Sequence, residues 1–485
     1  MATTDSNGIV RQVQAAIKQD QFKSTKKRTP ETAKFALMVL VILASVGLGV
    51  LAALLSLPFY VIMIALPILV VLFFYFQKNL WLSPIIILLA AAFSPFYLDT
   101  GTNSVIVDGL LLTILFVGIW VLKMFVVDKR FHLYPTPMNF PLLAFIVVVP
   151  ISLLWSIVFR DASIQAWGSF TMVQIATSAV MIMLACSYLL VANVVRNVKD
   201  LKTLYWIMLI ASIAGLLYEF RVIGFEVSTG GLFTMWVICL LTAMALFNTK
   251  MPVVARLAVL ALAIIWFDYS FGIRITWLSG WLPAMAALGF LFYSRSKKLF
   301  ILLLLVAAVI FVSNTNYFEG VYQAEHSESG VTRYMAWLKN WEVTSQHFLF
   351  GTGPGGYAVY YMTYFPNEAM ATHSNYIDVV AQTGVVGLIF YLWFFVAQAL
   401  FGLRFLKRIR GRGDFVEGLA YATMAGTIGC IVAMAFGDWL LPFPYTQGIS
   451  AYDYVIYSWM FMGALVALER LTNPALLDNT ILNQA

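Results

Sequence analysis

Charge is scarce in this chain. Of its 485 residues only 11% are Asp, Glu, Lys or Arg, while 61% are hydrophobic. A water-soluble domain is about 25% charged, so this composition excludes a soluble fold. Cysteine is scarce too. Cys186, Cys239 and Cys430 lie within apolar runs, are odd in number and show no metal-ligand spacing. Three buried thiols are expected, and neither a disulfide framework nor a metal site. Residues 1–34 lack the small-residue cleavage site of a signal peptide and are too long for its basic head. They read as a cytoplasmic tail. Either Val10, Val13, Ala16 and Ile17 form one face of a surface helix, or the tail is disordered and held near anionic lipid.

Apolar runs fill the rest. They follow one another from Phe35 to Leu468, each able to cross a hydrocarbon layer of roughly 30 Å. Backbone in lipid must satisfy its own hydrogen bonds, and the runs are too continuously apolar for barrel strands, so they are helices. The expected fold is all-α, a polytopic membrane bundle of about fourteen transmembrane helices. Spans are expected near 35–55, 57–76, 81–98, 105–127, 140–159, 167–195, 202–220, 231–247, 252–270, 275–293, 299–313, 376–403, 416–440 and 450–468. The organisation read from this is a basic tail (1–34), one membrane domain (35–470) and a cytoplasmic C-terminal tail (471–485).

Basic residues set the orientation. With both termini in the cytoplasm, 25 of the 30 Lys and Arg residues fall inside. Outside remain Arg160, Arg221, Arg274, Arg333 and Lys339. Membrane proteins keep cations off the outer face, so the four outer arginines ask for a reason. Either they bind an anion, or they sit in structural ion pairs, Arg221 with Glu219 or Glu226 and Arg274 with Asp268.

One outer loop, 314–375, is far longer than most others, and long loops in compact proteins usually carry function. Val331, Tyr334, Met335, Leu338 and Trp341 mark an amphipathic helix over 331–345. The FGTGPGGY stretch, Phe350–Tyr357, forces a tight backbone: a plain turn, or amides of Gly353 and Gly355 cradling phosphate oxygens. Tyr357, Tyr360, Tyr361 and Tyr364 share one helix face, as an interfacial aromatic belt or a platform for sugar rings. His373, before Ser374 and Asn375, stands where the loop enters the next span and can exchange a proton near neutral pH. Asp378, Asp438 and Asp453 lie at outer span ends, where they can orient the histidine or meet an acceptor. His326 and His347 share the loop and are not expected to take part.

The HSNYIDVVAQTGVVGL stretch, His373-Ser374 followed by Gly384 and Gly387, resembles the signature of the bacterial O-antigen ligase and polymerase superfamily. The preceding GTGPGGY looks like its Gly-rich stretch. The segment around Arg274 is similar to a Ser-Arg-Gly segment of the same superfamily, with Ile273 and Ile275 in place of its Ser and Gly. The resemblance spans roughly residues 260–400. It implies a GT-C-type membrane glycosyltransferase of the cytoplasmic membrane with its site facing outward. Such an enzyme moves a glycan from undecaprenyl diphosphate to a hydroxyl of a glycan, lipid or protein acceptor, with inversion and without metal or cofactor. No Asp-x-Asp motif falls on the outer face, in keeping with that. Nucleic acid is not an expected partner. The implied roles are His373 as general base or diphosphate ligand, Arg274, Arg333 and Arg221 as diphosphate grips, and Gly353, Gly355, Tyr357 and Asn375 as glycan or acceptor contacts. The competing class is a flippase for lipid-linked oligosaccharides, which needs two gated halves. No internal repeat is visible here.

Overall fold

The computed structural model describes residues 59–94, 96–99, 104–274, 278–324, 331–365 and 371–473. The expected tail 1–34, the expected span 35–55, His326 and residues 474–485 lie outside the described residues. The chain divides into two compact units, 1–78 and 79–485. In the first, one helix is described, α1 (Phe59–Phe76), with Pro67 in its interior.

The second unit opens with α2 (Ser83–Phe93) and a short antiparallel hairpin, β1 (Tyr97–Asp99) against β2 (Val105–Val107), with Tyr97 opposite Val107. Then come α3 (Asp108–Leu122), α4 (Asn139–Val158), α5 (Phe170–Val194), α6 (Val198–Glu219) and α7 (Phe233–Phe247). Next are α8 (Val253–Phe267), continued by a π-helical stretch to Arg274, α9 (Leu278–Arg295) and α10 (Lys297–Ser313). Three helices form the long loop: α11 (Thr315–Ala324), α12 (Val331–Thr344) and α13 (Tyr357–Tyr364). The chain closes with α14 (Asn375–Ile409), α15 (Phe415–Phe436) and α16 (Tyr452–Thr472).

The all-α reading holds, with one small hairpin as the exception among the described residues. The count of about fourteen crossings is not confirmed: eight helices among the described residues have the length and hydropathy to span a bilayer. Helix length explains part of the difference. The expected span 81–98 becomes the 11-residue α2 followed by the hairpin, and 231–247 becomes the 15-residue α7. At 1.5 Å per residue these measure about 16 and 22 Å, short of the hydrocarbon thickness.

Packing separates helices that face protein from helices that face lipid. α16 is buried along nearly its whole length, whereas α10 has no buried residue and turns Ile301, Leu305, Val309 and Val312 outward. An exposed face this apolar belongs in lipid. Between helices, polar side chains tie the core. Tyr188 donates to Gln398 at 2.8 Å, Gln398 to the Met462 carbonyl at 3.0 Å, and Trp236 to Ser458 at 2.8 Å.

The two ends of the bundle differ. At one end Arg408 pairs with Glu469 at 2.8 Å, Tyr134 donates to the same carboxylate at 2.6 Å, and Arg470 donates to the carbonyls of Ala192 and Val195. His373 lies before the opposite end of α14. The stretch from Gly384 to Ile409 alone separates these ends by about 37 Å.

Candidate active site

Gly384 is where the long loop enters the bundle. α14 is two helices joined there, because Gly384 adopts φ +69° and ψ −174°, a conformation open only to glycine. The break removes two rungs of the helical ladder, and the Gly-rich loop replaces them. Instead of bonding Ala381 and Gln382, the amides of Val385 and Val386 donate to the carbonyls of Phe348 and Leu349 at 2.8 and 3.4 Å. The stranded carbonyls of Ala381 and Gln382 accept from the amides of Thr352 and Gly353 at 2.9 and 3.0 Å. The Gln382 side chain accepts from the Gly355 amide at 2.6 Å. The Ser152 hydroxyl on α4 lies 2.6 Å from both the Phe350 and the Gln382 carbonyl and shares its one proton between them. A β-carbon on Gly353 would overlap Ser156 and Gln174, which explains glycine at that position. The amides expected to cradle phosphate are thus buried and spent on α14. Gly353 and Gly355 build the socket.

His373 sits on a second junction. Its backbone is left-handed, φ +50°, and its imidazole remains about half exposed. Everything under it is buried. Asn375 donates to the Leu441 carbonyl at 2.7 Å and accepts from the Leu440 amide at 2.9 Å. Ser374 donates to the Met434 carbonyl at 3.2 Å. These bonds fasten the start of α14 to the end of α15 and to the 437–448 segment, which carries Asp438. That carboxylate, only 1% exposed, stands 4.0 Å from His373 Nδ1 and accepts from Thr446 at 2.8 Å and from the Phe443 amide at 3.3 Å. Below, Asp378 accepts from Thr372 at 2.5 Å and from Tyr357 at 2.7 Å. Asp453 lies elsewhere, against Gly109 at the head of α3.

α12 covers this platform. The Trp337 indole donates to the Thr372 carbonyl, next to His373, at 2.7 Å, and Tyr361 donates to the Ala336 carbonyl at 3.0 Å. Arg333 stands four residues before Trp337 and so shares its helix face. Of the three expected arginines, Arg333 is the one the described bonds bring to the histidine. Arg221 is exposed beyond the end of α6, with φ +57°. Glu219, its expected ion partner, accepts from Thr229 at 3.0 Å and from Tyr269 at 2.7 Å. Tyr269 belongs to the π-helical stretch that ends at Arg274, so the backbone of Arg274 and the α6 terminus bearing Arg221 are tied together.

The tyrosine face of α13 neither stacks outward nor forms a belt. Tyr357, Tyr360 and Tyr361 are buried and only Tyr364 is exposed. Tyr357 lies flat on Phe443, ring centroids 4.3 Å apart, and burial pushes its phenol far above the ordinary tyrosine range. Tyr357 and Asn375, expected as glycan contacts, are both buried, with their polar atoms bonded to Asp378 and to the backbone of Leu440 and Leu441. Beside α13 opens a cleft of about 350 Å³. Tyr364 and Ser163 bond the Asp161 carboxylate there and, with the Ser163 amide, hold it below the usual carboxylate range. Burial lowers the His347 imidazole.

Sequence reasoning passed over Trp337, Thr372 and Gln382, none of which carries a local signal. Arg160 stood out only as an outer cation. Its guanidinium lies 5.0 Å from the Phe170 ring and donates to Gln174 at 3.3 Å. Gln174 in turn donates to the Thr352 carbonyl at 3.4 Å, which brings Arg160 beside the Gly-rich loop.

Residues 236–392 match the family model described as O-antigen ligase. The match runs from α7 through Arg274, Arg333, the Gly-rich loop and His373 to the first turns beyond the Gly384 break. No curated protein matches the chain. Residues 236–392 are thus similar to the O-antigen ligase-like superfamily, in a chain that has, among the described residues, eight helices long and apolar enough to cross a membrane.

Proposed function

We propose that the protein transfers a glycan from undecaprenyl diphosphate to an acceptor hydroxyl at the outer face of the bacterial cytoplasmic membrane, with inversion and without metal. The observation that carries this reading is His373: a half-exposed imidazole in a left-handed bend, backed by the buried Asp438 carboxylate and roofed by the helix bearing Arg333.

The chemistry follows from the placement. The acceptor oxygen attacks the anomeric carbon and its proton passes to His373. The bond from that carbon to the diphosphate breaks, and its electron pair leaves with the diphosphate. With Asp438 on the Nδ1 side, the outward Nε2 is the atom that takes the proton, as in other carboxylate-backed imidazoles. Asp438 is a positioning residue in this scheme. Negative charge grows on the diphosphate, and arginine is the planar, permanently charged donor that fits phosphate oxygens. Arg333 is assigned this task first, with Arg274 and Arg221 as further grips. Such electrostatic stabilisation is usually the largest catalytic term. The charge segregation between the bundle ends supports a cytoplasmic location for both termini.

The competing flippase reading is tested without mutation. Purified protein in detergent, given lipid-linked glycan and acceptor, is expected to make coupled product with inverted anomeric configuration by NMR. A flippase has no measurable output without a bilayer, and absence of product from a folded sample would remove the transferase reading.

A further inference from the structure

The cleft beside α13 is not used by the reaction as described. Asp161, Glu342, Gln346, His347, Tyr360 and Tyr364 line it, with Val343 and Phe365 as apolar walls. Its volume of about 350 Å³ falls in the range of small-ligand sites. One wall brings a buried polar atom to the cleft. Tyr360 is 3% exposed, yet its hydroxyl has no hydrogen bond of good geometry among the described residues, although the Asp161 backbone, Arg160 and Tyr364 lie near it. A buried hydroxyl in this state is costly unless a ligand completes it.

We infer that this cleft is a second glycan subsite, taking neutral or amino sugar residues remote from the bond being exchanged. Sugar rings offer many hydroxyl donors and apolar C–H faces. The cleft offers two carboxylates, which only accept, an amide and an imidazole that can do either, and aromatic surface. The same carboxylates repel anions, so the diphosphate end of a donor stays with the arginines. Arg160, although near Tyr360, is turned to Phe170 and Gln174. Glu342 and Gln346 extend the helix that carries Trp337, beginning about 8 Å further along its axis, so one glycan can run along α12 from His373 to the cleft. The substrate class rests on the transfer reading above; the cleft itself does not.

Binding is tested on the full-length protein in detergent with His373→Ala, which removes turnover. The probe is oligosaccharide cut by mild acid from the producing cell's own surface polysaccharide, followed by saturation-transfer NMR. Adding Tyr360→Phe and Glu342→Gln, both near-isosteric, is expected to weaken binding about 10-fold for two lost hydrogen bonds. Tyr360→Phe alone gives a smaller loss and serves if the combined variant melts early. In the active protein the same pair raises KM about 10-fold for the donor or for the acceptor, leaving kcat within about two-fold. The KM that rises identifies whose sugar chain occupies the cleft. Unchanged binding and unchanged KM for both substrates overturn the subsite while leaving transfer intact. If no transfer occurs at all, the transferase reading fails, and the binding measurement still decides the cleft.

Discussion

The indole N–H of Trp337 donates to the carbonyl of Thr372 at 2.7 Å, joining the helix that bears Arg333 to the residue before His373. One bond thus links the proposed cationic and basic halves of the site. Trp337→Phe keeps an aromatic ring and loses the donor. A lost bond of this kind is worth about 1 kcal/mol, or roughly a 5-fold drop in transfer rate with melting temperature nearly unchanged. Steady-state rates of purified variants check this. A wild-type rate would mean that α12 is held by other contacts.

Gly384 should tolerate no side chain. At φ +69° and ψ −174° an L-residue is strained by about 1–3 kcal/mol, and a β-carbon there would overlap the Leu349 carbonyl and the Phe350 amide. Gly384→Ala is expected to undock the Gly-rich loop and sharply reduce folded yield on detergent size exclusion. Wild-type yield and melting would show that the loop does not depend on the break.

Asn375 holds the Asp438 segment through bonds to Leu440 and Leu441. Asn375→Ala strands these buried backbone groups, at about 1–3 kcal/mol, and loosens the carboxylate behind His373. Both melting temperature and transfer rate are expected to fall. Asn375→Asp should not rescue either, because it places an acceptor against the Leu441 carbonyl. Rescue by Asp, followed by thermal melting and product assay, would contradict this role.

The cleft should be sensitive to pH. Burial depresses the His347 imidazole, against an upward pull from Asp161. In the unfolded chain the imidazole takes a proton near pH 6.5. Below that pH the unfolded state binds more protons than the folded one, so stability rises with pH. Hydrogen-exchange protection of α12 and α13, corrected for intrinsic rates, should be full above about pH 7 and decline from about pH 6.5 toward 5. Asp161, also held low, acts in the same sense only in more acidic solution. His347→Gln should flatten the decline. Equal protection at pH 7 and 5 in the parent protein would contradict it.

Much of this was legible in the sequence. The 3.6-residue pattern placed the amphipathic helix at 331–345, and the helix is Val331–Thr344. His373 was placed at a loop-to-helix junction, and α14 begins at Asn375. The glycines were legible as strained backbone, but their purpose was not. The amides of Gly353 and Gly355 have partners on α14, about thirty residues away in sequence, and only packing reveals that they are spent. Asp438 was one of three acidic residues at outer span ends. The distance to His373 sets it apart from Asp453, and no spacing rule crosses such a separation. Crossing number is not confirmed, for a different reason. Hydropathy measures whether a segment tolerates lipid, not whether it stays helical long enough to traverse it, and the helix of the expected span 81–98 stops at Phe93.

The most direct measurement is product formation by purified His373→Ala with lipid-linked glycan and acceptor in detergent, beside the parent protein and with melting curves for both. The expected result is coupled product from the parent, none from the variant, and matching melting temperatures. Product from the variant at the parent's rate would remove His373 from the reaction and with it the proposed site.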